Sequence, residues 1–203
     1  MASKKDLKNK LNYLPIIFGL ILLAVGLFIP ATIYFPVAKA EVIYQLKSNS
    51  QISFPSVEPV DRDFSIVIPK IGANTKVIKN IDPHNPKEYQ LALTRGVAHA
   101  LNSGLPNEQG NTFIFAHSAG NWYQANRYNA VFYLLNKLVE GDEIIVYYQN
   151  KDYHYFVTET KLVNGSEISY LRNTSFGHQL TLMTCWPPGT TLKRQIVIAN
   201  LSP

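Results

Sequence analysis

Cysteine is the residue type that this chain has least of. A single cysteine, Cys185, occurs among 203 residues, together with two methionines and two tryptophans. One thiol cannot form an internal disulfide, and two or more thiolate ligands for a structural zinc site are not available. The class of disulfide-framework proteins is therefore excluded. Cys185 is either a buried residue that packs as a small hydrophobe or a reactive thiol.

Charge is also sparse, at 16% of the residues, and it is unevenly placed. The formal net charge is +5, but Lys4, Lys5, Lys8 and Lys10 all lie in the first ten residues. The rest of the chain has no dense stripe of Lys and Arg, so no nucleic-acid partner is predicted. Hydrophobic residues make up 46% of the chain, enough for a core, and the length suits one domain with an appendage.

The appendage is an apolar run near the N-terminus. No charged side chain occurs from Leu11 to Ala38, a run longer than the ~20 residues that span a bilayer. The lysines before it are typical of a cytoplasmic end, so the remainder is expected outside the cell. We predict a cytoplasmic basic tail, a transmembrane helix, an extracellular stalk and a folded domain at residues 1–12, 13–36, 37–62 and 63–203. The alternative is a cleaved signal peptide, because Ala38-Lys39-Ala40 resembles a small-x-small cleavage site.

From Phe64 onward, short apolar runs alternate with turn signals. Eight runs are rich in Val, Ile, Tyr, Phe and Thr, which predicts an all-β barrel or sandwich. Two interruptions are predicted to be helical, Pro86 to Leu93 and Asn129 to Glu140. The second has four apolar residues at helical spacing and a glycine directly after it.

The run QLTLMTC places the cysteine near the end of a predicted strand. Leu180 and Leu182 alternate with Thr181 and Met183 and are expected to face the core, which puts Cys185 on the opposite face. Pro187 and Pro188 then end the strand, because proline donates no ladder hydrogen bond. We therefore predict an accessible thiol beside a loop.

Two further residues have the chemistry that a reactive thiol requires. If the next run, RQIVIANL, forms a hairpin with this strand, Arg194 lies opposite Cys185, with Cβ atoms ~5 Å apart. A guanidinium there favours thiolate and can stabilise an oxyanion, although an ordinary solvated strand-end charge is the alternative. Thiol catalysis also needs a proton carrier. Among the five histidines, His117 stands out because it ends the strand-like run NTFIFAH.

Together these residues resemble the sortases, the membrane-anchored cysteine transpeptidases of the bacterial surface. Residues 181–185, Thr-Leu-Met-Thr-Cys, match the TLxTC signature of that family. Arg194 matches its arginine and His117 its histidine, in the family's order. The resemblance extends from about Phe64 to Pro203 and includes the passage YLLNKLVEGDEIIVYY.

The resemblance implies an eight-stranded sortase-type β-barrel with one or two short helices. Its groove would bind an LPxTG-like sorting signal on a surface or pilin protein. Cys185 would form a thioacyl-enzyme, His117 would act as general acid and then base, and Arg194 would hold the substrate and stabilise the oxyanion. Thr184 and Trp186 are predicted as substrate or oxyanion contacts. An amine, from a peptidoglycan precursor or a pilin lysine, would be the acceptor, and the short connection to Arg194 is similar to class D or E members.

No cofactor and no metal are predicted. Glu108, Asp142, Glu143 and Glu167 resemble the calcium ligands of some class A members, but scattered acids are ordinarily solvated, so a Ca²⁺ site is not expected. Two other functions are open to such a chain. One is a membrane-tethered cysteine hydrolase with water as acceptor, and the other is a non-catalytic module that binds surface proteins. The Cys, His and Arg residues argue against the second.

Overall fold

Eight strands and two α-helices make up the part of the chain that the computed structural model describes, which is residues 4–49, 58–117, 131–167, 170, 177–188 and 190–202. The helices are α1 (Lys4–Asn49) and α2 (Pro86–Leu93), and two 3-10 segments span Pro69–Ile71 and Tyr133–Lys137. The strands are β1 (Phe64–Ile68), β2 (Ala73–Ile81), β3 (Val97–Ala100), β4 (Gly110–Phe115), β5 (Glu143–Tyr148), β6 (Lys151–Asn164), β7 (His178–Trp186) and β8 (Lys193–Leu201).

The strands close into a barrel in the order β1-β2-β3-β4-β7-β8-β6-β5. Two neighbouring pairs, β2 with β3 and β4 with β7, run parallel, whereas the other pairs are antiparallel. A parallel pair cannot be joined by a tight turn, and α2 lies in the connection between β2 and β3. The predicted eight-stranded barrel and the predicted helix at residues 86–93 are both confirmed.

Apolar side chains from all parts of the barrel fill its interior. Leu180 and Leu182 of β7 are fully buried, as predicted, and they pack with residues such as Ile66, Ile144 and Val197. Truncating a buried leucine of this kind to alanine costs about 2–5 kcal/mol. The barrel is therefore a rigid frame on which the strand ends hold their positions.

The second predicted helix is shorter and tighter than the sequence indicated. Residues 129 and 130 lie outside the described residues, and Tyr133–Lys137 forms a 3-10 helix in place of an α-helix reaching Glu140. Leu138 already has extended backbone, with φ −74° and ψ 139°. The apolar spacing nevertheless identified residues of the core, because Leu134, Leu135 and Leu138 are all buried. One short 3-10 segment is enough to bury these side chains, so a longer helix is not required.

The N-terminal region is one continuous helix through residue 49. The Lys137 Nζ atom lies 2.8 Å from Glu41 Oε1 and 5.6 Å from the centre of the Tyr44 ring, which joins the end of α1 to the Tyr133–Lys137 segment. Residues 50–57 of the predicted stalk lie outside the described residues, and Val60 N donates to Asn74 Oδ1 of β2 at 3.0 Å. Within the described residues, no helix has the length and apolarity of a membrane span, so the predicted transmembrane helix is not supported.

Candidate active site

The parallel pairing of β4 and β7 brings two of the predicted site residues to one edge of the barrel. The ladder ends at Phe115 opposite Met183, so His117 and Cys185 both follow at the carboxyl ends of adjacent strands. Strand β8 runs antiparallel to β7 and begins at this edge, where Arg194 pairs with Cys185 in the register that the hairpin predicted. All three side chains reach one place because three strands end or begin there.

His117, Cys185 and Arg194 line a single cleft of about 210 Å³. Most of the remaining wall is apolar. It is formed by residues of α2, of the segment before α2, and of the ends of β4 and β7. The other lining residues are Pro83, Tyr89, Leu93, Phe115, Ala116, Met183, Thr184 and Thr191. The wall of the cleft is thus mostly apolar and also carries a thiol, an imidazole and a guanidinium.

Cys185 is a free, half-buried thiol. Burial raises the pKa of this thiol, and the Arg194 guanidinium opposes that shift without cancelling it. The expectation that Arg194 favours thiolate is therefore correct in direction, but desolvation has the larger effect. In the resting protein the sulfur is held mainly as the neutral thiol at neutral pH.

His117 is also half-buried, and its surroundings act on it in the opposite sense. Burial lowers the pKa of the imidazole, because transfer from water disfavours its charged form. The ring of Tyr89 lies 6.5 Å away, centroid to centroid, at an interplanar angle of 65°. A neutral imidazole beside a neutral thiol can take the thiol proton when the sulfur attacks, which is the task of a general base.

Arg194 is fixed by backbone oxygens of its own segment. Its Nη1 atom donates to Thr191 O at 3.2 Å and to Lys193 O at 3.3 Å. Both bonds use Nη1, so Nε and Nη2 have no hydrogen-bond partner among the described residues. These donors can therefore bind a negatively charged or carbonyl oxygen in the cleft.

The two residues predicted as substrate or oxyanion contacts differ in their placement. Thr184 lines the cleft, but it is 2% exposed and its hydroxyl donates to Ala116 O at 3.0 Å. This bond joins the residue before Cys185 to the residue before His117. Trp186 pairs with Lys193 at the last position of β7 and is not among the described residues that line the cleft.

The remaining histidines have other surroundings. His99 is fully buried and its Nε2 lies 3.0 Å from Gly104 O and 2.9 Å from Ser103 Oγ, which ties β3 to the following turn. His154 lies on the outer surface between two carboxylates. His84 is exposed, and His178 Nδ1 is buried with no hydrogen-bond partner among the described residues. None of these four lines the cleft.

Three of the four acidic residues that are similar to calcium ligands of some class A members contact other groups of the protein. Asp142 pairs with Lys70 at 2.8 Å, Glu143 with His154 at 2.7 Å, and Glu108 accepts from Leu105 N at 3.2 Å. Within the described part of the chain, no cluster of three or more His, Cys, Asp or Glu side chains has a metal-binding arrangement. The donor set of the described residues therefore does not fit a calcium ion.

Sequence reasoning missed the residues that form the walls of the cleft. Tyr89 and Leu93 are four residues apart on α2, so their side chains share one face of that helix. That spacing was a detectable signal of a shared face. It did not show that the helix packs beside the ends of β4 and β7, because packing of separate elements depends on the closed barrel.

Comparison with known proteins assigns this architecture to a family. The model of the sortase domain family matches residues 66–202. The chain belongs to the sortase family. Sortase D of Bacillus subtilis (strain 168) is 26% identical over 133 residues, covering 64% of this chain and 59% of that protein. Sortase A of Listeria monocytogenes is 28% identical over 137 residues, covering 68% and 55%. The matches thus span less than two thirds of the length of these relatives.

A solved sortase structure shares the fold. The X-ray structure of Clostridium perfringens sortase C with the C-terminal cell wall sorting motif gives a TM-score of 0.57 at 23% identity, covering 82% of this chain and 87% of that one. At this identity the likeness concerns the fold. The barrel, its strand count and the family match agree with one another.

Proposed function

We propose that this sortase is a cysteine transpeptidase that cleaves an LPxTG-like sorting signal and transfers the acyl fragment to an amine. The convergence of Cys185, His117 and Arg194 in one cleft is the observation that carries the proposal. The related sortase C was solved with a sorting motif, which supports a peptide of this class as substrate. Surface or pilin proteins would supply the signal, and a peptidoglycan precursor or a pilin lysine would supply the amine.

The first half of the reaction forms a thioester. The Cys185 sulfur attacks the carbonyl carbon at the Thr-Gly bond of the signal, and the thiol proton passes to the His117 imidazole. The carbonyl oxygen becomes an oxyanion, which the Arg194 guanidinium stabilises by charge-assisted hydrogen bonds. The tetrahedral intermediate then collapses, the C–N bond breaks, and the imidazolium gives its proton to the leaving amine.

The second half transfers the acyl group. An amine attacks the thioester carbonyl, His117 takes the amine proton, and the C–S bond breaks to restore the Cys185 thiol through proton return. Water in place of the amine would give hydrolysis. In this proposal the apolar wall of the cleft would limit the access of water to the thioester and would bind an extended peptide beside the strand ends.

The test combines a peptide library with mass spectrometry. The detergent-solubilised full chain is incubated with LPxTG-type peptides and excess amine donors, and Cys185→Ala serves as the matched control. We expect an acyl adduct of Cys185 and a transfer product in the wild type alone. Hydrolysis with no transfer under saturating amine would indicate a hydrolase instead. If no peptide forms an adduct, and the wild type and Cys185→Ala bind the peptides equally well, a non-catalytic binding module would be favoured.

A location at the outer face of the cell membrane, with the N-terminus in the cytoplasm, is a second part of the proposal. Large apolar side chains between residues 13 and 28 of α1 are exposed, including Leu14 at 64% and Phe28 at 68%, and lysines precede them. The test is a fusion of the full chain to a C-terminal reporter that is active only outside the cytoplasm. Reporter activity in the membrane fraction is expected, and a soluble, inactive reporter would contradict the location.

A further inference from the structure

Helix α2 is built so that one aromatic side chain enters the cleft. Asn85 caps its N-terminus by accepting from Glu88 N at 3.4 Å, and Pro86 occupies the first turn. At the other end Leu93 is 2% exposed and fixes the helix to the core. Tyr89, between these anchors, is half-buried and lines the cleft. Its position is therefore set by the helix and does not depend on a loop.

The Tyr89 ring contacts the ring of Phe115, the last residue of β4, and the ring of His117, two residues beyond it. Its centroid lies 6.4 Å from Phe115 at an interplanar angle of 74°, and 6.5 Å from His117 at 65°. Both contacts are edge-on, the arrangement that the charge distribution of aromatic rings favours. The tyrosine thus packs against the imidazole and against the residue two positions before it.

The described residues place few other restraints on the imidazole. The backbone before it is held by Ala116 N, which donates to Met183 O at 3.1 Å, and by the Thr184 hydroxyl on Ala116 O. These bonds fix the chain path but not the two side-chain torsions of His117. Across the described residues, the imidazole has no hydrogen-bond partner, and Tyr89 is the only ring that contacts it. Among the described contacts, packing on Tyr89 is thus the one that can orient the ring.

We propose that Tyr89 is a positioning residue that orients the His117 imidazole toward Cys185, and that its aromatic ring, without its hydroxyl, is sufficient for this role. The inference deepens the proposed function and rests on it for its effect on turnover. A misplacement of about 1 Å in a reacting group can cost on the order of a hundredfold in rate. A small displacement of the imidazole after loss of the tyrosine ring can therefore have a large effect on the rate.

The same contact has a consequence for protonation. The titratable or charged groups that share the described cleft with His117 are the Tyr89 phenol of α2, the Cys185 thiol of β7 and the Arg194 guanidinium of β8. No carboxylate is among the described lining residues, so burial is the cause that lowers the pKa of His117. Removing the Tyr89 ring admits water and should raise that pKa toward its ordinary value.

The kinetic test uses three variants on one helix. Tyr89→Phe keeps the ring, Tyr89→Ala removes it while favouring helix, and Leu91→Ala changes a side chain that is 58% exposed. Peptide transfer is measured from pH 5 to 9. We expect Tyr89→Ala to lower kcat by about ten- to a hundredfold with a smaller change in KM, and to move the acid limb of the profile to higher pH. Tyr89→Phe and Leu91→Ala should behave as wild type. An unchanged kcat and profile in Tyr89→Ala, or an equal loss in Tyr89→Phe, would overturn the proposal.

A second readout does not depend on turnover. The imidazole proton resonances of the full chain are titrated by NMR, with His117→Gln used to assign the His117 signal. The wild type and Tyr89→Phe should titrate alike, and Tyr89→Ala should titrate at higher pH while its other resonances stay in place. An identical His117 titration in Tyr89→Ala would contradict the inference. If the wild type formed no acyl adduct while this shift occurred, the proposed function would fail and the positioning role would stand.

Discussion

The cleft and the outer surface of β5 and β6 each hold a histidine, and the pKa values of the two imidazoles are shifted in opposite directions. In the cleft, His117 is surrounded by apolar and aromatic side chains, and burial lowers its pKa. On the surface, His154 lies 2.7 Å from Glu143 and 3.1 Å from Asp152. The hydrogen bond to Glu143, followed by that to Asp152, raises the pKa of His154 against the effect of burial.

The difference shows that carboxylate partners, where they are present, outweigh burial in setting the direction in which the pKa of a histidine is shifted. An imidazole without carboxylates is neutral at neutral pH and can accept a proton during a reaction. An imidazole that is hydrogen-bonded to two carboxylates has a raised pKa, and the ion pair contributes to stability while the imidazole is protonated. Variants on the two sides of the molecule should therefore affect different measurements.

The largest effect on turnover is expected from Cys185→Ala, which removes the proposed nucleophile of the cleft. Turnover should fall to the uncatalysed background, because no other cysteine can form the thioester. The thiol is half-buried, so the free energy of unfolding should change by no more than about 1 kcal/mol. Peptide assays and thermal unfolding measure the two quantities. A large loss of Tm would instead identify Cys185 as a residue of the packed core.

Arg194→Lys should reduce kcat/KM by about a hundredfold, the size of effect seen when one oxyanion donor is removed. Lysine keeps the charge but loses the planar set of donors that the cleft presents to an oxyanion. Lys193→Gln, an exposed neighbour on the opposite face of β8, is the matched control and should retain activity. Near-normal rates in Arg194→Lys would restrict the arginine to a simple charge role.

Thr184→Val tests the bond that couples the two strand ends. Valine has the shape of threonine but leaves Ala116 O without its donor, which should cost about 1–3 kcal/mol in the free energy of unfolding. Thr184→Ser keeps the hydroxyl and should lose less. Urea unfolding of both variants measures the difference. A loss in Thr184→Val no larger than that in Thr184→Ser would contradict the assignment, because the hydroxyl would then contribute no more than the methyl group.

The smallest effect is expected on the surface side, from His154→Gln. Because its pKa is raised in the folded protein, the ion pair contributes fully below the ordinary pKa of 6.5 and its contribution is lost as pH rises through the raised value. The wild type should thus exceed the variant in stability at pH 5 by more than at pH 9, with catalysis unchanged. The exposed His84→Gln is the control. A gap that widened with pH would contradict the assignment.

Several features of the site could be predicted from local sequence. The hairpin register of Cys185 and Arg194 is confirmed, because the alternation of QLTLMTC and the prolines after it leave few other arrangements. The end of β7 at Trp186, directly before Pro187, has the same cause. The second predicted helix is longer than the 3-10 segment that the structure has, because helical spacing does not distinguish one 3-10 turn from three α-helical turns.

Protonation could not be predicted in the same way. The sequence indicated a cation beside the thiol, and the structure has it there, but burial outweighs it and keeps the pKa of Cys185 raised. Desolvation depends on what covers a side chain from all directions. For Cys185 and His117 the described cover includes Tyr89 and Leu93, which come from a helix distant in sequence.

Local sequence patterns were enough to predict the strand content, the thiol at a strand end, the arginine across a short connection and, through the motifs, the family. The position of β4 beside β7, parallel to it, became known only from the folded barrel. That pairing joins Ala116 to Thr184, which are 68 residues apart, and it brings His117 to the same edge as Cys185. Pairing of distant strands follows from closure of the whole barrel, because each strand must find two neighbours, and no local pattern specifies which.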